Sequence, residues 1–110
     1  MATIAQPPLP NPPASLEAVF ADLVRRWKVE RGPSSSTTEL AMCPSYQRII
    51  GLGPAAVPYL LRELEREPDH WFWALKAITG ADPVPVKSRG KVGEMARHWI
   101  LWGREQGYSW

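Results

Sequence analysis

A chain of 110 residues with 45% hydrophobic and 22% charged residues has the composition of one ordinary globular domain, which excludes a wholly disordered chain. Its net charge of +2 is too small to demand a polyanionic partner, and Cys43, the single cysteine, excludes an intramolecular disulfide and a cysteine-based zinc cage. No stretch approaches the roughly 18 apolar residues of a membrane helix, and "MATIAQPPLPNPPAS" has no basic segment leading into an apolar run, so the expected location is the cytoplasm, with no membrane partner.

Residues 1–14 hold five of the twelve prolines, which remove amide donors and fix backbone angles. A disordered Pro-rich tail is expected there, followed by a single α-helical domain over 15–110. "PLPNPP" is compatible with a polyproline II ligand, although a plain disordered terminus is the simpler reading. Ser15 can cap a helix whose Leu16, Val19, Phe20, Leu23, Val24 and Trp27 make a complete amphipathic stripe, ended near Arg31 by Gly32-Pro33. "SSSTTELAMCPS" reads as a polar connection with at most one irregular turn. A short second helix is predicted around Tyr46 to Ile50, with Pro44 tolerated in its first turn. Gly51 to Gly53 then turn the chain, and Pro54 opens a helix with Val57, Leu60, Leu61 and Leu64 on its apolar face. Helices joined by so tight a turn are expected to pack antiparallel.

"DHWFWALKAITG" places Trp71, Phe72 and Trp73 side by side. Apolar nearly all round, this segment is expected to form a central helix over Asp69 to Thr79, buried on several sides and capped by Asp69. Loss of Trp73 or Leu75 to alanine should then cost about 3 kcal/mol each. A last helix near Lys91 to Glu105, with Val92, Met95, Ala96, Trp99, Trp102 and Gly103 at helical spacing, is expected to pack against it. Four to five helices and no strand make a small all-α domain.

"YQRIIGLGPAAVPYLLREL", with an aliphatic helix end, a glycine turn and an A-V-P-x-L start, resembles a HEAT-type helical repeat. "WALKAITGADPVP" repeats the pattern more weakly. The resemblance covers one and a half repeats, short of the roughly three a free-standing solenoid needs, and implies antiparallel HEAT-like helix pairs in a scaffold that binds partners through a helical surface. The Trp-Ala-Leu, Ile-Thr-Gly and Trp-x-x-Trp-Gly runs are also similar to those of a small Trp-rich bacterial protein family, a resemblance that implies no activity.

Chemistry is sparse. Asp69, His70, Glu94 and His98 could be drawn together around a metal, yet no HExxH-like signature supports them; a surface pair and a polar first-turn histidine are the simpler account. Cys43 precedes a proline in a polar loop without a nucleophile elbow, and "GLGPAA" lacks both the preceding strand and the Lys-Ser/Thr of a phosphate loop. No catalytic, cofactor or metal residue is assigned. Lys87, Arg89 and Lys91 in a loop, Arg97 and Arg104 on the following helix, and Tyr108 and Trp110 beyond it are instead candidate partner-binding residues, opposite in sign to the acidic run "RELEREPDH". The function expected is a non-catalytic protein–protein interaction module, one form of which is an accessory or neutralising partner in a bacterial defence or toxin–antitoxin pair. The alternative is a nucleic-acid-binding accessory protein that uses the basic loop 87–91 and helix 91–105.

Overall fold

A computed structural model describes residues 15–110; the segment expected as a proline-rich tail lies outside the described residues. Among the described residues there are six α-helices, two short 3-10 turns and no strand, so the all-α expectation holds with one helix more than foreseen. No described helix is long and apolar enough to cross a membrane.

Helix α1 (Leu16–Glu30) begins where the Ser15 hydroxyl accepts the Ala18 amide at 3.1 Å, and its stripe buries Phe20, Leu23, Val24 and Trp27. The polar connection contains a true helix, α2 (Thr37–Met42), and not merely an irregular turn. Ser36 Oγ accepts the Glu39 amide at 3.3 Å, Leu40 and Ala41 are buried, and Trp27 Nε1 donates to the Leu40 carbonyl at 2.8 Å. That indole bond gives the helix its place: six residues would not stay helical alone in water.

Helix α3 (Pro44–Gly51) has its proline in the first turn, as expected, and a 3-10 turn at Gly53–Ala56 leads into α4 (Val57–Arg66). Pro54 thus sits in the 3-10 turn, and α4 starts three residues later. The main packing is of α1 on α3, α3 on α5 (Phe72–Thr79), and α4 on α6 (Val92–Glu105). This arrangement does not show a HEAT-type repeat. The apolar distribution accounts for these contacts. Tyr46 and Ile49 of α3 are buried with Trp27 and Trp71, whereas Leu61 of α4 meets the glycine of α6.

Gly103 decides the α4–α6 contact. A Cβ built there would stand 2.5 Å from Leu61 Cδ1 and 3.3 Å from the Trp110 ring. Gly103→Ala would gain about 1 kcal/mol of helix propensity but forces a core leucine to move, at about 1–3 kcal/mol. The expected net result is a lower melting temperature, read by thermal unfolding; a higher one would show that the helices separate without penalty.

An aromatic cluster fills the space between α1, α3 and α5. The Trp27 and Trp71 rings are 4.4 Å apart, Tyr46 stacks on Trp71 at 5.5 Å, and Phe20 and Tyr59 close the side at 5.7 Å from each other. The start of α3 is tied to α1 by the Glu30 carboxylate, which accepts the Ser45 amide at 3.0 Å and its hydroxyl at 2.6 Å. Those two bonds, the hydroxyl foremost, lower the Glu30 pKa below its ordinary 4.5. A lowered carboxylate pKa stabilises the fold above the unfolded value and loses that contribution as pH falls through the folded one. Thermal melts should therefore show a steeper loss of stability below about pH 4.5 in the wild type than in Glu30→Gln; identical acid slopes would exclude the linkage.

Candidate partner-binding surface

Successive helix positions are turned by about 100°, so Trp71, Phe72 and Trp73 cannot all face one core. Trp71 is 1% exposed and Phe72 8%, but Trp73 is 42% exposed. The central helix is thus buried on one side and open on the other, where Trp73, Lys76 and Ala77 are accessible. It is also shorter than expected, starting at Phe72, and Asp69 does not cap it. The Asp69 carboxylate instead accepts both Arg31 Nη1, at 2.9 and 3.0 Å, and the His70 amide at 2.8 Å. What satisfies the first turn is the Tyr46 hydroxyl from α3. It donates to the His70 carbonyl at 2.9 Å and accepts the Ala74 amide at 3.0 Å. Burial drives its pKa far above the ordinary 10, so it stays a neutral donor. At the other end, Gly80 adopts φ 71° and closes the helix with its amide on the Lys76 carbonyl at 2.8 Å; a side chain there would be strained.

Helix α6 packs chiefly on α4 where α5 was expected, and an apolar groove of about 580 Å³ is left between α5 and the start of α6. Phe72, Trp73, Lys76 and Ala77 line it from α5, Val92 and Met95 from α6 with Gly90 just before it, and Tyr46, Thr37 and His70 complete the lining. The volume is within the range of about 300–1,000 Å³ typical of ligand pockets. Trp73, part of this lining and 42% exposed, stands on its lip.

The candidate residues divide between two places. Lys87, Arg89 and Lys91 lie in the loop that enters the groove wall at Gly90, with a 3-10 turn over Val86–Ser88. Arg89 pairs with Asp82 at 3.2 Å, Lys91 with Glu94 at 3.7 Å, and Lys87 is exposed. Arg104 is in the last turn of α6, about 20 Å along the axis from Lys91. There it binds Glu65 at 2.7 Å and lies over the Trp110 ring at 5.4 Å. Trp110 Nε1 donates to the same carboxylate at 3.2 Å, and Tyr108 packs on Trp102 at 5.8 Å. The C-terminal aromatics therefore fold back onto the domain. Arg97 is exposed between the two places, on α6.

The metal idea finds no assembled site: among the described residues no group of three or more His, Cys, Asp or Glu side chains is placed to hold an ion. Glu94 and His98 meet instead on Ser88, whose hydroxyl donates to Glu94 Oε1 at 3.0 Å and lies 3.5 Å from His98 Nε2. Ser88 is 1% exposed, so this constellation pins the loop to α6 and offers no accessible nucleophile. The Cys43 thiol donates to the Glu39 carbonyl at 3.4 Å and is pushed up in pKa, chiefly by burial, away from thiolate reactivity. Trp73 as a lip residue could have been suspected from the sequence, since it falls with Lys76 and Ala77 on the less apolar side of the helix. The groove itself depends on where α6 docks, which no local pattern encodes. No family model matches the chain, and neither a curated protein nor a solved structure matches it.

Proposed function

We propose that the protein is a non-catalytic interaction module that holds a segment of a partner protein in the groove between α5 and α6. The observation that carries this reading is Trp73: a large aromatic, 42% exposed, on the lip of an apolar groove whose other wall is Val92 and Met95. Exposed aromatics beside a depression are the usual anchors of an interface, since burying them on binding removes much apolar surface from water at little entropic cost. Trp73 contributes little to the core that Trp71 already fills, so its size supports a role outward. Arg89 and Lys91 fit the same reading as a polar rim, because they flank Gly90 of the groove lining, whereas Arg104 at the far end of α6 breaks the continuous track that a phosphate backbone follows.

The test is affinity capture from the native host with tagged wild type and with Trp73→Ala, both nuclease-treated and read by mass spectrometry. A protein recovered at near-equal stoichiometry with wild type and lost with Trp73→Ala is the expected result. Capture unaffected by Trp73→Ala but abolished by removing Tyr108 to Trp110 would move the interface to the far end of α6. Recovery of nucleic acid alone from untreated eluates would replace this reading with the nucleic-acid one.

A further inference from the structure

We infer that the partner segment is acidic: a stretch of protein that buries a bulky apolar side chain against Trp73 and Met95 and turns carboxylates toward Lys76, Lys87 and Lys91. This rests on reading the groove as a protein-binding site. The distribution of ion pairs carries it. Along α4 and the turn after it every carboxylate has its cation: Glu63 with Arg66, Glu65 with Arg104, Glu67 with Lys28 and Asp69 with Arg31. The acidic run is thereby neutralised within the molecule. Around the groove the balance is reversed. Lys76 Nζ and Arg89 Nη2 both reach the same oxygen, Asp82 Oδ2, at 3.3 and 3.2 Å. Lys91 meets only Glu94, at 3.7 Å, which also accepts the Ser88 hydroxyl. Lys87 has no ion pair among the described residues. Lys76 in the lining and the segment from Asp82 to Glu94, which supplies Gly90 and Val92 to the groove, thus set four cations against two carboxylates. An uncompensated positive rim beside apolar surface attracts and orients a partner of opposite sign. A polynucleotide would meet the charge but not the groove, whose Ala77, Val92 and Met95 walls suit a buried aliphatic or aromatic side chain.

Random peptides displayed on phage, selected on the full chain and counter-selected on Trp73→Ala, test this without presuming a sequence. The expected winners combine a bulky apolar residue with a surplus of Asp and Glu. Their affinity should fall as salt is raised and drop about tenfold in Lys87→Glu, where attraction becomes repulsion at the rim. Lys87 is exposed and unpaired, so that variant leaves the fold intact, which its melting curve verifies. Neutral or basic winners that still need Trp73 would overturn the acidic partner while leaving the groove as the binding site. No Trp73-dependent winner at all would overturn both, and retention on single-stranded DNA lost in Lys87→Glu would assign the rim to nucleic acid.

Discussion

Replacing Trp71 with alanine is expected to lower stability by about 3–5 kcal/mol, a large share of the about 5–15 kcal/mol that holds a domain together. Trp71 touches three other aromatic residues, Phe20, Trp27 and Tyr46, with ring centroids 6.4, 4.4 and 5.5 Å away. An alanine would leave an apolar cavity where α1, α3 and α5 meet, and neighbours as rigid as Trp27, held by its bond to Leu40, cannot collapse into it. Denaturant unfolding should show a much lower midpoint, or no folded baseline. The control is two residues along. Trp73→Ala, with 42% of the residue exposed, should stay within about 1 kcal/mol of wild type while losing the captured partner. Equal losses at the two positions would contradict the placement of Trp73 on an open lip.

Tyr46→Phe is expected to destabilise by about 2–3 kcal/mol while removing a single oxygen atom. The ring packing is kept. What is lost is a hydroxyl that serves two backbone groups at once, and the Ala74 amide it leaves behind is buried, where an unpaired donor costs about 1–3 kcal/mol. A second readout separates this from lost packing. The unfolded tyrosine ionises near 10, whereas burial raises the folded value far above that. The folded state then holds a proton the unfolded state releases, so stability is full below pH 10 and declines as pH rises above it. Tyr46→Phe should flatten that alkaline decline. A variant as stable as wild type, with the same alkaline slope, would refute the bridging role.

Helices with their own signals could be read directly. For α1 the cap, the stripe and the Gly-Pro stop all sit within one segment, and its bounds came out as expected. For α6 the stripe identified the helix, but its docking partner was misplaced, because Gly103 marks a close approach without saying to which helix. The missed α2 did carry a signal: Ser36 and Glu39 stand at capping-box spacing, and Ser36 does cap. Six residues were too few for periodicity to add weight. In α5 the sequence shows apolar residues on all sides, and only the open groove explains why one side stays uncovered. Of the candidate residues, the Lys91–Glu94 pair beside the groove is local and legible, whereas Arg89 with Asp82, and Arg104 with Glu65 at the far end of α6, depend on tertiary placement.

The caps themselves fall into two kinds. Helices α1 and α2 start on serines of their own, Ser15 and Ser36, but α3 borrows the carboxylate of Glu30 from α1, and α5 borrows the phenol of Tyr46 from α3. Both borrowers are eight residues long, below the length at which an isolated helix persists in water. Order is therefore handed down the chain: α5 cannot begin without α3, nor α3 without α1. The amides of Ser45 and Ala74 should share one opening event in hydrogen exchange, that of the whole domain. The lip that carries Trp73 inherits the rigidity of three helices, and a partner would meet it preorganised.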